Sequence, residues 1–193
     1  MPERNPSFEA TQPKECNLKN FRIIVVDDFQ FMGDLLAGMM KEMGVGEVLT
    51  FDSAQKALNH LNYVTKNYSH TTHIDLALID WLMPGMNGVD LIRQIRNFEE
   101  EHIKFLPIVL LSAYTSKKVV EAARDSGANE ALVKPISAEK LASRLVHIIN
   151  HPRPFIKNDS FMGPDRRRKE EDFEGKDKRK TKPEFIKVHE EDV

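Results

Sequence analysis

The sequence predicts an α/β protein: a doubly wound, five-stranded parallel sheet covered by helices, with disordered termini. Three observations carry this. Short runs of Val, Ile and Leu recur without polar alternation, as in a sheet buried on both faces. Helical patterns separate each run from the next, which implies parallel crossovers. Both features are confined to residues 19–150, a length that buries a core without staples.

The elements follow in order. The predicted strands are Arg22–Val26, Glu47–Phe51, Leu76–Ile79, Ile108–Ser112 and Ala131–Val133. The first helix, Phe29–Met43, places Phe31, Met32, Leu35, Leu36, Met39, Met40 and Met43 at helical spacing, most simply as core filling. The second, Ser53–Tyr63, extends toward Asn67. The third, Val89–Glu99, follows a Pro-Gly-Met-Asn-Gly turn. The fourth, Ser116–Ser126, stops at Gly127, and the fifth, Ser137–Asn150, opens on a serine cap with Glu139 in its first turn. The connection Tyr63–Ile74 is long and holds His70 and His73 downstream of His60. Without cysteines or a close carboxylate set it reads as a solvated loop rather than a metal site.

Composition excludes several classes. The 193 residues carry a net charge of −2, with 40% hydrophobic and 30% charged, which argues against a general polyanion binder. One cysteine, Cys16, permits no intramolecular disulfide. No apolar run is long enough to span a bilayer, and the polar start lacks the core of a secretory signal, so a cytoplasmic protein is expected. Residues 1–18 read as a flexible arm. Residues 151–193 read as a charged, largely disordered tail: Pro152–Val193 holds 12 Lys/Arg and 11 Asp/Glu with only scattered apolar residues. Within it the stretch RPFIKNDSFMGPDRRR looks like a short docking motif, for a partner or for the domain's own surface. The clusters Arg166–Lys169 and Lys176–Lys182 are interleaved with acids, so nucleic acid is an unlikely partner and the tail is no DNA-binding domain.

In open parallel sheets ligands bind beyond the carboxyl ends of the strands. Here those ends carry Asp27 and Asp28, Asp80, Ser112, and Lys134. Converging carboxylates repel unless a cation joins them. Oxygen donors of this kind suit Mg²⁺, and the set predicts a Mg²⁺ site that accepts a phosphoryl group. Taken singly, each Asp also reads as a cap or turn residue, Asp28 before Phe29 among them; the conjunction at four strand ends favours the site.

The motifs IIVVDD, LALIDWLMPGMNG, IVLLSAY and GANEALVKP, read together, resemble the receiver domain of bacterial two-component response regulators, the CheY-like, flavodoxin-like fold, over about residues 20–150. The resemblance implies that Asp80 is the phosphoacceptor for a sensor histidine kinase or phosphotransfer protein. It implies that Asp28, Asp80 and the Leu82 backbone carbonyl hold Mg²⁺ with help from Asp27, and that Ser112 and Lys134 bind the phosphoryl oxygens. Phosphorylation would then switch contacts with a downstream protein, in a stand-alone receiver with a charged tail. The first helix would dock the kinase, with Phe31, Met32 and Leu35 as candidates. The family's aromatic readout residue is replaced by Ala131, leaving Tyr114 as a substitute or as a half-exposed surface aromatic. Bulky Leu82 and Tyr114 flank the expected acyl phosphate and predict a long-lived phosphorylated state. A nucleic-acid-directed regulator acting through the basic tail is the alternative. A haloacid dehalogenase-type enzyme ranks last, because Leu82 stands where that class needs a second Asp.

Overall fold

The computed structural model describes residues 17–69, 71–114, 117–158, 161–165 and 184–186. Five parallel strands, β1 (Arg22–Val26), β2 (Glu47–Phe51), β3 (Leu76–Asp80), β4 (Ile108–Ser112) and β5 (Glu130–Val133), lie in the order β2-β1-β3-β4-β5. The chain moves outward from β1 to β2, then returns across β1 to β3. That reversal creates a crevice at the carboxyl ends of β1 and β3.

Alternation along each strand divides the core into two layers. Ile24, Val26, Ala77, Ile79, Ile108 and Leu110 pack with Leu61, Leu91, Ile92, Ile95 and Ala123 from α2 (Ala54–Lys66), α3 (Gly88–Arg96) and α5 (Lys117–Ser126). On the opposite face Ile23, Val25, Leu76, Leu78, Val109 and Leu111 meet Leu36, Met40, Leu141 and Leu145 from α1 (Gln30–Glu42) and α6 (Ala138–Asn150). Met40 is wholly buried, and Met32, Met39 and Met43 pack against the same layer, so the methionines of α1 do fill core. Leu18, in a single 3₁₀ turn, is buried in this layer. Residues 1–16 of the expected arm, Cys16 included, lie outside the described residues.

Local signals explain most helix ends. Ser53, Asn87 and Ser137 cap α2, α3 and α6 by accepting the backbone N–H three residues on. Asp28 does not cap α1. The N-cap position is Phe29, whose N–H donates to Asp27 Oδ1 at 3.0 Å. The third helix stops at Arg96 rather than Glu99, and a short α4 (Glu101–Lys104) follows. Gly127, at φ +97°, ends α5 in the left-handed region.

Regular structure continues beyond residue 150, in the stretch that the sequence alone reads as tail. After α6, β6 (Phe155–Asn158) and β7 (Phe161–Pro164) form an antiparallel hairpin, and β8 (Glu184–Ile186) pairs antiparallel with the other edge of β6. Phe155 is buried, its ring 5.0 Å from that of Phe105. The scattered apolar residues here build no core of their own, but the main domain supplies one. The stretch RPF of the suspected docking motif thus lies on the domain's own surface, whereas Arg166–Lys169 and Lys176–Lys182 fall outside the described residues. Among the described residues no helix is long and apolar enough to cross a membrane.

Candidate functional site

Strand register delivers the expected residues to one edge. Asp27 follows the last residue of β1, Asp80 ends β3, Ser112 ends β4, and Lys134 follows β5. Asp27, Asp80 and Ser112 are buried, whereas Asp28 is exposed. Each of the three aspartates offers a carboxylate oxygen, and these oxygens lie within 4.8 Å of one another. Among the described residues this is the one such cluster of His, Cys, Asp and Glu. The histidines of the long connection do not form another: His73 pairs with Asp75, His60 Nε2 is buried without a partner, and His70 lies outside the described residues.

Lys134 is the hinge of the electrostatics. Its Nζ sits 2.7 Å from Asp27 Oδ2 and 2.6 Å from Asp80 Oδ1. Burial alone would push the Lys134 pKa down, but hydrogen bonds and attraction from both carboxylates outweigh it and hold the pKa above the ordinary value. For Asp80, burial is the largest influence and raises its pKa. Lys134 opposes this, and the neighbouring Asp27 adds to it. One ammonium therefore serves two buried carboxylates, with a third carboxylate at the rim. The donor set is all oxygen, short of positive charge and open on the Asp28 side, which fits a hard divalent cation.

The loop after β3 shapes the wall. A Cβ on Gly88 would come within 2.1 Å of the Asp80 carbonyl oxygen, and the Gly88 N–H donates to the Trp81 carbonyl. Only glycine allows that approach. Gly85, at φ +77°, makes the turn before it. Trp81 itself is partly buried and packs against the core beside Asp80.

Ser112 is engaged with its own loop: its Oγ accepts from the Tyr114 N–H at 3.0 Å and donates to the Tyr114 carbonyl at 3.3 Å. Tyr114 is 55% exposed and Leu82 53%. Ala131 is a small, partly buried residue packed against the core, with no ring to swing. Of the three α1 candidates, Phe31 (65% exposed) and Leu35 face outward, whereas Met32 is partly buried. Sequence reading passed over Phe29, an exposed aromatic whose ring centroid lies 5.9 Å from that of Phe31. Its place directly after the Asp pair was the available signal.

The order of the strands and this edge define an open α/β switch-point fold with an acidic pocket. The sequence model of the response regulator receiver domain matches residues 23–146, and the chain belongs to that family, the CheY-like signalling receivers of two-component systems. It is similar to chemotaxis protein CheY-3 of Vibrio cholerae, 31% identical over 127 residues that cover 66% of this chain and 90% of that protein. It is 30% identical to chemotaxis protein CheY of Pseudomonas aeruginosa, over 66% and 94% of the two chains. The crystal structure of the chemotaxis response regulator CheY4 of Vibrio cholerae superposes with a TM-score of 0.56 at 25% identity, covering 66% of this chain and 98% of that one. The family match ends before the hairpin begins.

Proposed function

We propose that the protein is the phosphoacceptor of a Mg²⁺-dependent phosphorelay, in which Asp80 takes a phosphoryl group from a histidine kinase or phosphotransfer protein. The observation that carries this reading is the single ammonium of Lys134 bridging Asp27 and Asp80 at the switch point.

Asp27, Asp28 and Asp80, with the Leu82 carbonyl, would hold Mg²⁺, which when bound neutralises charge on the transferring phosphoryl group. The chain's own residues do the rest. An Asp80 oxygen bonds to phosphorus as the bond to the donor's imidazole nitrogen breaks, a step that needs alignment and charge neutralisation more than a strong nucleophile. Lys134 lies against Asp80 and would pair with a phosphoryl oxygen. Ser112 Oγ must give up its bond to the Tyr114 carbonyl in order to donate to another. That exchange pulls on the β4–α5 loop, so loading the pocket alters the surface around it. The exposed pair Phe31 and Leu35, with Phe29 beside them, offers an apolar surface next to Asp28 for the phosphoryl donor protein.

Intact mass after incubation with a small phosphoryl donor and Mg²⁺ tests the reading: one phosphoryl adduct per chain is expected, and none would refute it. Trp81 fluorescence gives a second handle. A Mg²⁺ titration should saturate, and Asp28→Asn should weaken the midpoint about tenfold, equivalent to about 1.4 kcal/mol. Because Asp28 is exposed, its urea midpoint should barely move.

Leu82 and Tyr114 would flank the path of water to an acyl phosphate on Asp80, and their bulk would favour a long-lived phosphorylated state. Trimming Tyr114 to Ala should shorten the lifetime of the adduct several-fold. An unchanged decay, followed by intact mass over time, would remove Tyr114 from that role.

A further inference from the structure

The hairpin is held by a built seat at the opposite end of the sheet from the acid pocket. Arg96, only 3% exposed, donates to the carbonyls of Gly127 (3.0 Å), Lys104 (2.7 Å) and Leu106 (2.8 Å) and to Asn129 Oδ1 (3.2 Å). Its guanidinium also lies 5.0 Å from the centre of the Phe155 ring. Asn129 Oδ1 in turn accepts from the Ile108 N–H at the start of β4. Arg153 donates to the Asn129 carbonyl and to Glu130 Oε1, and so ties the segment before β6 to the start of β5. Over Gly127 the two backbones touch: a Cβ on Gly163 would lie 2.7 Å from Gly127 Cα, and a Cβ on Gly127 would lie 2.7 Å from the Met162 carbonyl oxygen. Two glycines in apposition mark a fitted contact rather than a loose tail.

The seat is made of the far ends of the elements that build the pocket. β4 begins at Ile108 beneath Asn129 and ends at Ser112. α5 leaves the Ser112–Tyr114 loop and ends at Gly127. β5 begins at Glu130 and leads into Lys134. The hairpin therefore grips α5 and β5 at their base, in the arrangement where Ser112 is bonded back to Tyr114.

We propose that the seat formed by Arg96, Phe105, Gly127, Asn129 and Glu130 is a binding site for this chain's own β6 and β7 with Arg153 before them, and that their docking and phosphoryl loading oppose one another through α5. This coupling rests on the receiver reading above. A hairpin that fits the turned-in position of Ser112 holds α5 against the shift that loading demands. By linkage, loading loosens the hairpin by the same factor. The freed segment, with Phe155 and Arg153 uncovered, is then an output signal that the family fold itself does not contain.

The test uses the full chain with Mg²⁺ and beryllofluoride as a phosphoryl mimic, read by Trp81 fluorescence. Phe155→Ala removes the ring from the seat, and Gly163→Val forces the backbones apart. Both should tighten the beryllofluoride midpoint about fivefold or more. In the unaltered chain, beryllofluoride should speed hydrogen exchange at the amides of β6 and β7 by a matching factor while the amides of β1 and β3 stay protected. Equal or weaker midpoints in both variants, or hairpin exchange unaffected by loading, would overturn the coupling and leave the receiver reading standing. A full chain with no saturable response overturns both.

Discussion

Asp80→Asn should lower phosphoryl uptake by at least ~10³-fold, to the background of intact-mass detection, because the amide offers no anionic oxygen to phosphorus. The same substitution should make the protein more stable near neutral pH. Burial raises the Asp80 pKa in the folded state above its ordinary value, so the folded protein holds this proton more tightly than the unfolded chain. Its stabilising contribution is therefore present in acid and is lost as pH rises from 3.8 through the raised value. Asn removes that loss. The stability difference between variant and parent, from urea midpoints, should be positive at pH 7 and shrink toward zero below pH 3.8. A variant that loses stability at pH 7 would show that Lys134 matters more to Asp80 than burial does. Residual uptake would move the nucleophile elsewhere.

Arg96→Ala should be the most damaging substitution for folding. Three carbonyls, of Lys104, Leu106 and Gly127, lose this donor together, and Asn129 Oδ1 loses one of its two donors. Each unsatisfied buried acceptor costs about 1–3 kcal/mol, and water entering the space recovers part of that. A net loss of about 3–5 kcal/mol is expected, a large share of the stability of an ordinary domain. Calorimetry should show Tm lowered by about 10 °C. Burial already pulls the Arg96 pKa down to about 9, because none of its partners carries a negative charge. A loss under about 1 kcal/mol would mean that water replaces the guanidinium with little penalty.

The sheet was legible because each strand is buried on both faces, so Ile23–Val26 and Ile108–Leu111 run apolar without interruption. The pocket was legible for a related reason: parallel strands bring their carboxyl ends to one edge, and chemistry at those ends reads directly from the sequence. Other features had no local signature. Ile95 and Phe98 keep helical spacing through the break after Arg96, so the end of α3 and the start of α4 were hidden. Arg96 looks like a solvent residue one turn beyond Arg93; its partners are carbonyls, which leave no trace in a sequence pattern. Phe155 sits among charged residues and finds its neighbours, Phe105 and Arg96, far back in the chain. From sequence alone the hairpin therefore reads as tail. Asp28 failed as a helix cap because the buried Asp27 carboxylate reaches the Phe29 N–H instead.

Asp27 and Lys134 stand 107 positions apart and yet share a 2.7 Å contact. No part of the pocket is local: its acids come from the first and third strands, its hydroxyl from the fourth and its ammonium from beyond the fifth. Closing so long a loop cannot be anticipated by any fragment. During synthesis the growing chain therefore lacks the Lys134 contact to Asp27 and Asp80 until the residues after β5 have emerged and folded against β1. On the proposed reading, competence to take up phosphate would arrive all at once and late, so an incomplete chain would neither receive a signal nor occupy a phosphoryl donor unproductively through this site.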